Sequence, residues 1–157
     1  MSFSVQPVNL KKDLKRCIRF RRDAWQISHG NLEDFCEAET KDWFQFLAEK
    51  YPEGFLMILH QDEIIGQLEF RSRIHDSTGE REGYINLFYL VPQWRGKGMG
   101  QKIHDYTLKI FSDTGCTRAF LRYIPGNDRA EAFYMKNGWI KEGKSEGKRG
   151  QLMKRAL

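Results

Sequence analysis

The chain has 157 residues, the size of a single domain that buries about two thirds of its unfolded surface. Its 26 lysines and arginines outnumber its 21 aspartates and glutamates for a formal charge of +5, but the two signs are interleaved, so no basic tract made for nucleic acid stands out. Cys17, Cys36 and Cys116 form no Cys-x-x-Cys pair, the N-terminus reads as no leader, and runs such as Phe55 to Leu59 are too short to span a bilayer, which excludes a disulfide framework, a zinc knuckle and a membrane helix and leaves an expected soluble protein of the reducing cytoplasm.

Ser4 to Pro7 reads as a short first strand. From about Lys11 the period becomes helical: Leu14, Cys17, Ile18, Ala24 and Trp25 share a face, while Lys11, Lys12, Lys15, Arg19 and Arg22 lie largely elsewhere, and the helix should end near Gly30. Asn31 to Glu39 is a polar, acidic connection. Trp43, Phe44, Leu47 and Tyr51 then mark a second amphipathic helix, stopped at Pro52-Glu53-Gly54. Next the period changes to that of strands. Phe55 to His60 is a compact apolar run, Gln61-Asp62-Glu63 a turn, and Ile64 to Ile74 a strand that largely alternates after Gly66. A polar loop from Asp76 to Gly83 leads into Tyr84 to Val91, apolar at nearly every position, as expected for a central strand covered on both faces.

After a glycine-rich loop, Met99, Ile103, Tyr106 and Ile110 form a helical stripe closed by Gly115, with His104 expected on the exposed flank. Arg118 to Ile124 is another strand. Strand, helix and strand from Tyr84 to Ile124 make a βαβ unit, so the two strands should be parallel. Asn127 or Asp128 can cap a short helix carrying Ala130, Phe133 and Tyr134, ended by Gly138, and Trp139 to Lys144 with Gln151 to Lys154 reads as a closing hairpin. There is no internal repeat or linker. The expectation is one α/β domain over residues 1–157, a mixed sheet in the order β-α-α-β-β-β-α-β-α-β.

The loop Val91-Pro-Gln-Trp-Arg-Gly-Lys-Gly-Met-Gly-Gln101 carries the most functional information. Gly96, Gly98 and Gly100 remove side chains where the backbone bends and a ligand can come close. The first amides of a helix lack intrahelical partners and carry the positive end of its dipole, so a diphosphate fits there, with Arg95 and Lys97 adding charge. A Walker loop needs Ser or Thr after Gly96-Lys97, and Gly98 stands there instead. A dinucleotide fingerprint needs glycine where Ile103 stands. What is left, Arg95-x-x-Gly98-x-Gly100 after a strand, resembles the pyrophosphate loop of the GCN5-related N-acetyltransferase (GNAT) superfamily. Asn127, Ala130, Phe133-Tyr134, Lys136 and Gly138-Trp139 resemble that superfamily's next segment, with Trp where the family has Phe. The resemblance is specific from about Ile64 to Lys154 and topological before that.

The resemblance implies acetyl-CoA as cofactor and a primary amine as acceptor. It implies that Gly96, Lys97, Gly98, Met99, Gly100 and Gln101, with Arg95, hold the diphosphate. An amide among Tyr89, Leu90 and Val91 would polarise the thioester, and Tyr134 would be the general acid. Asn127, Phe133 and Lys136 would be further cofactor contacts. Many relatives place a basic Glu where Ile85 and Asn86 stand. Asn86 could position a water and Glu69 could lie beside it, although the plainer reading of Glu69 is a solvent-facing strand residue; Glu82 and His75 are weaker choices. Trp25, Phe35 and Trp43 could wall the acceptor pocket, with Glu33, Asp34, Glu37 and Glu39 attracting a cation. No metal, nucleic acid or membrane is implied, and monomer and homodimer both stay open. The alternative is a non-catalytic acyl-CoA-binding sensor or scaffold of the same fold.

Overall fold

The protein is described by a computed structural model over residues 2–157. In chain order it forms β1 (Ser4–Pro7), α1 (Leu10–His29), α2 (Glu37–Lys50), β2 (Phe55–His60), β3 (Glu63–Ile74) and β4 (Arg81–Leu90). Then follow α3 (Met99–Asp113), β5 (Cys116–Tyr123), α4 (Asp128–Lys136), β6 (Ile140–Glu142) and β7 (Gln151–Ala156). One mixed sheet runs in the order β1-β2-β3-β4-β5-β7-β6. β4 is its middle strand, as its nearly continuous apolar sequence requires. The β4 and β5 pair is parallel, the outcome expected of a helical crossover, and β5/β7 and β6/β7 are antiparallel.

The chain gathers into two compact units, one of the residues up to Phe70 with Leu87–His104, the other of Arg71–Asn86 with Asp105–Leu157. In the first, α1 starts from a reciprocal cap: the Asn9 side chain accepts from the Lys11 amide at 3.0 Å, and the Asn9 amide donates to Asp13 Oδ2 at 2.9 Å. Gly30 ends the helix in the left-handed conformation at φ +78°. The buried face of α1 presents Cys17 and Phe20, and α2 adds Phe44 and Leu47, to Phe55, Met57 and Leu59 of β2 and Leu87 and Tyr89 of β4. Phe20 stacks on Tyr89 with centroids 4.7 Å apart. Gly66 lies so close to the Tyr89 carbonyl that a Cβ would overlap its oxygen, so only glycine lets the backbones approach there.

In the second unit Phe111, Ala119, Leu121, Trp139 and Met153 are buried. Parallel pairing runs from Arg81 opposite Cys116 to Ile85 opposite Leu121. Three local expectations are corrected. The strand β4 starts at Arg81, inside the stretch read as a loop to Gly83, because Arg81 to Ile85 pair with β5, and it ends at Leu90 rather than Val91. The helix α2 begins at Glu37 and takes in the last three residues of the stretch read as a connection, because Glu37 and Glu39 lie in its first turn, where acidic side chains favour the dipole. The buried stripe of α3 is Met99, Ile103, His104, Thr107, Leu108 and Phe111, so His104 is 1 % exposed rather than on the surface. A packed helix buries an arc of about 100° or more, and here polar His104 and Thr107 fill part of it.

Candidate active site

The glycine loop leaves β4 through a 3-10 turn at Pro92–Trp94, closed by the Trp94 amide on the Val91 carbonyl at 2.9 Å. Gly96 and Gly98 adopt φ +73° and +85°, the region that glycine alone enters without strain. A Cβ added to Gly98 or Gly100 would meet nothing within 4 Å. Gly100 is thus instructive. It sits in the first turn of α3 outside the positive-φ region, and no neighbour demands a bare backbone. The space left open lies over the N-terminus of a 15-residue helix, the end that carries the positive pole of its dipole. That cradle suits an anionic diphosphate. Lys97 is exposed beside it, its Nζ 5.7 Å from the Trp94 ring.

Arg95 points the other way. Its Nε donates to the Leu90 carbonyl at 2.8 Å and its Nη2 to Asp23 Oδ2 at 2.9 Å, with the guanidinium carbon 5.3 Å from the Tyr89 ring centroid. Tyr89 also donates to Asp23 Oδ2. Burial of Asp23 works against its charge, yet the hydrogen bonds from Tyr89 and Arg95 and the arginine's charge outweigh it and hold the carboxyl below its usual range. Burial and the adjoining carboxylate push the Tyr89 phenol up to about 12. The trio ties the loop to α1, so Arg95 braces the end of β4.

Of the three amides considered for the thioester oxygen, Val91 is engaged, donating to the Ile65 carbonyl at 2.9 Å. Asn86 directly follows the last parallel pair, and its Oδ1 is buried with no hydrogen-bond partner among the described residues.

Glu69 is wholly buried, against the expectation of a solvent-facing strand residue. Arg21 grips it with Nη2 on Oε1 at 2.5 Å and Nε on Oε2 at 3.2 Å. Trp43 Nε1 adds a donor to Oε1 at 2.7 Å, and Gln67 Nε2 one to Oε2 at 2.8 Å. Four donors on one carboxylate offset the cost of burying its charge. The other end of the Gln67 amide, Oε1, is buried without a partner among the described residues. So is Trp25 Nε1. Trp25 meets Phe35 edge-on at 6.0 Å and stacks on His29 at 4.2 Å, whereas Trp43 stacks on Phe46 at 5.6 Å and belongs to the Glu69 cluster. Glu33, Asp34, Glu37 and Glu39 are exposed.

In the second unit α4 carries Tyr134. The Asn127 side chain caps this helix by accepting from the Ala130 amide at 3.3 Å, which engages the oxygen of one expected cofactor contact. Phe133 and Trp139 lie edge-on to the Tyr134 ring at 5.5 and 6.0 Å. Desolvation pushes the Tyr134 phenol up to about 12, so it is protonated throughout the physiological range. Exposed Lys136 stays near Phe133, 5.8 Å from its ring. Glu82 is paired to Arg118 at 2.6 Å, and His75 Nδ1 accepts from the Ser77 amide at 3.3 Å.

Arg21, Asp23 and Gln67 were not singled out by sequence. A signal existed for Gln67: with Glu69 it forms a polar pair at strand spacing inside the apolar run Ile64 to Phe70. Arg21 is one of several basic residues on α1, and nothing local distinguishes it. Among the described residues no group of three or more His, Cys, Asp or Glu side chains could hold a metal, and no helix is long and apolar enough to cross a membrane.

The model of the Acetyltransferase (GNAT) family matches residues 15–139. N-alpha-acetyltransferase 30 of Schizosaccharomyces pombe is 26 % identical over 122 residues, covering 73 % of this chain and 81 % of that one. In fold the chain is similar to an acetyltransferase from Streptococcus agalactiae, with TM-score 0.78 and 18 % identity over 99 % of this chain and 98 % of that one. It is similar also to Arabidopsis thaliana Naa50 in complex with the bisubstrate analogue CoA-Ac-MVNAL, with TM-score 0.70 and 18 % identity over the whole of both chains.

Proposed function

Because the chain belongs to the acetyltransferase (GNAT) family, whose members use acetyl-CoA, we propose that it transfers acetyl from acetyl-CoA to a primary amine of a peptide or small molecule by direct attack in a ternary complex. The observation that carries the proposal is the open space over Gly98 and Gly100 at the start of α3, which no internal packing explains. Acetyl-CoA, when bound, supplies an acetyl group activated as a thioester. The main chain from Gly96 to Gln101 grips the diphosphate, and Lys97 adds charge at its rim. Arg95 acts through the loop, by fixing the Leu90 carbonyl and Asp23. The amide of Tyr89 or Leu90 donates to the thioester oxygen, where a preorganised donor has most effect as charge develops. Tyr134 donates to the departing sulfur.

The amine must arrive unprotonated, and an ordinary lysine-like amine has a pKa of about 10.4. Glu69, with both oxygens engaged by four donors, serves better as the group that orients Gln67 than as a base. Gln67 Oε1 in the first unit and Asn86 Oδ1 in the second are each without a partner among the described residues, and either alone suits an N–H donor or an ordered water that takes the proton onward. The acceptor being the α-amine of a peptide is supported by likeness to the S. pombe N-alpha-acetyltransferase.

The test is release of free CoA from acetyl-CoA over a panel of peptides, polyamines and amino acids, beside a melting curve with cofactor. Cofactor at a hundred times its Kd should stabilise the fold by about 2.7 kcal/mol. Stabilisation with no release for any amine would favour the binding module over the enzyme; no stabilisation at millimolar cofactor overturns both.

A further inference from the structure

The second unit contains a cavity of about 500 Å³, within the range of about 300–1,000 Å³ typical of small-ligand clefts. No residue of the glycine loop lines it; its cations are Arg71, Arg73, Arg118, Arg122, Arg149 and Lys154, brought from β3, β5, β7 and the turn before β7. Much of this charge is already answered. Arg118 gives Nε and Nη2 to Glu82 Oε1 at 3.0 and 2.6 Å, Lys154 meets Glu142 at 2.6 Å, and Arg149 meets Glu146 at 3.0 Å. Two of the arginines are less well served. Arg73 makes no hydrogen bond or ion pair among the described residues. Arg122 is the more telling, because its side chain is only 18 % exposed. It donates from Nη1 to the Gly150 carbonyl at 3.3 Å, while its Nη2 stands 3.7 Å from Glu146 Oε2, beyond hydrogen-bond reach. Its Nε–Nη2 edge is thus without a hydrogen-bond partner among the described residues. A guanidinium so far withdrawn from water is costly unless an acceptor comes to that edge.

The acceptor has a definable chemistry. The same Nε–Nη2 edge of Arg21 holds both oxygens of Glu69 elsewhere in this chain, the fork that a planar carboxylate fits. Even with Glu146 counted beside the lining carboxylates Glu82 and Glu142, six cations face three anions, an excess that concentrates anionic ligands. Arg73 on β3 and Arg122 on β5 have β4 between them, two strand spacings or about 10 Å, so a ligand with a carboxylate at each end serves both. Tyr84, Phe120 and Leu152 share the lining, and the β5/β7 register sets Phe120 opposite Lys154 and Leu152 opposite Arg122. A carbon skeleton covers such apolar surface, which a bare inorganic ion would leave wet. We propose that this cavity is a binding site for a small organic polycarboxylate, with one carboxylate on the Nε–Nη2 edge of Arg122 and another on Arg73. Such a site needs no part of the acetyltransferase reading.

The test is calorimetric titration of the full chain at low salt with tricarballylate, beside propionate as a single carboxylate and a sugar bisphosphate as the phosphate arm. The expected result is one site for tricarballylate, with propionate at least about tenfold weaker and Kd rising as salt is added. Arg122→Gln should raise the Kd about tenfold, the loss of a charge-assisted contact, and exposed Arg73→Gln about threefold. Because Arg73 has no partner in the fold, its substitution should leave the melting temperature unchanged, and it carries the test should Arg122→Gln lower it. No binding of tricarballylate at millimolar concentration overturns the proposal, and so does a wild-type Kd in Arg73→Gln. Propionate bound as tightly as tricarballylate overturns the two-ended ligand. A sugar bisphosphate that binds more tightly, and is weakened by the same substitutions, overturns the assignment to carboxylates. Displacement of tricarballylate by a random oligonucleotide at lower concentration would make the surface one for nucleic acid and overturns it too.

Discussion

Arg21 and Glu69, 48 residues apart in sequence, form a two-pronged ion pair in which the carboxylate is fully buried and the guanidinium partly so. Removing one partner of such a pair leaves an uncompensated buried charge, at a cost of about 3–5 kcal/mol. Arg21→Met should therefore lower the melting temperature by roughly 6–20 °C, taking about 2–4 °C per kcal/mol for a chain of this size. Adding Glu69→Gln should recover part of the loss, because the charge is gone and the amide can still accept from Trp43. A thermal-melting cycle over the two single variants and the double variant measures this; strictly additive losses would mean that the pair is not coupled.

Gly100 separates what the fold needs from what the ligand needs. In the first turn of α3, with nothing within 4 Å of its missing Cβ, Gly100→Ala should leave the free protein as stable or more so, by up to about 1 kcal/mol, since alanine is the better helix former. The added methyl stands where the diphosphate is proposed to lie, so Kd for CoA should rise about tenfold or more, equivalent to about 1.4 kcal/mol. Melting of the free protein and calorimetric titration with CoA check the two halves. Gly98→Ala should weaken both, because its φ of +85° strains any side chain.

The parts legible in the sequence were those dictated by local periodicity. Phe55 to His60 reads as a strand and is one, Tyr84 to Leu90 lies within a strand that starts three residues earlier than its apolar run, the glycines from Gly96 to Gly100 stand at a bend that opens a helix, and the family membership of the chain agrees with what Arg95-x-x-Gly98-x-Gly100 and Phe133-Tyr134 resemble. The parts that were not legible depend on tertiary partners. Arg95 looks like a phosphate ligand in the linear motif, yet Asp23, on a helix many residues earlier, turns it inward. Glu69 follows an alternating pattern that suggests solvent, but β3 is buried on both faces from Ile65 to Phe70, which no single-strand pattern reveals. The cavity lined by Arg71, Arg73, Arg118, Arg122, Arg149 and Lys154 escaped for the same reason: charges interleaved along the chain are brought together from β3, β5, β7 and the turn before β7.

Three protonated groups make the fold sensitive to alkali. Burial pushes the Cys17 thiol from 9.0 to about 12, assisted by Asp13 and Glu69, and the Tyr89 and Tyr134 phenols from 10.0 to about 12. Each folded-state pKa lies above its unfolded value, so the unfolded chain gives up its protons first. The stability these groups contribute is complete below about pH 9 and is lost as pH rises toward 12. The melting temperature should be flat through neutrality and fall steadily above pH 9. Cys17→Ala should remove the earliest part of that fall, while its lost packing lowers the neutral plateau, because Cys17 is fully buried in the first unit's core. A wild-type profile that stays level to pH 12 would show that none of the three groups is linked to folding.

Tyr134→Phe tests the proposed acid directly. A phenol with a pKa of about 12 holds its proton at every working pH, but passing it completely to a thiolate of ordinary pKa about 8.5 would be uphill by about 5 kcal/mol. In the proposed role the hydroxyl would therefore donate a hydrogen bond as charge accumulates on sulfur, an effect confined to the transition state, and the thiol would draw its net proton from solvent. Removing a group of this kind should lower kcat about a hundredfold or more and leave KM for acetyl-CoA nearly unchanged. The wild-type kcat should show no alkaline decline from this phenol until pH approaches 12, measured where the protein is still folded. A decline centred near pH 10 that vanishes in Tyr134→Phe would mean that the phenol titrates as an exposed one, and a rise in KM at constant kcat would make Tyr134 a cofactor contact with no part in the chemical step.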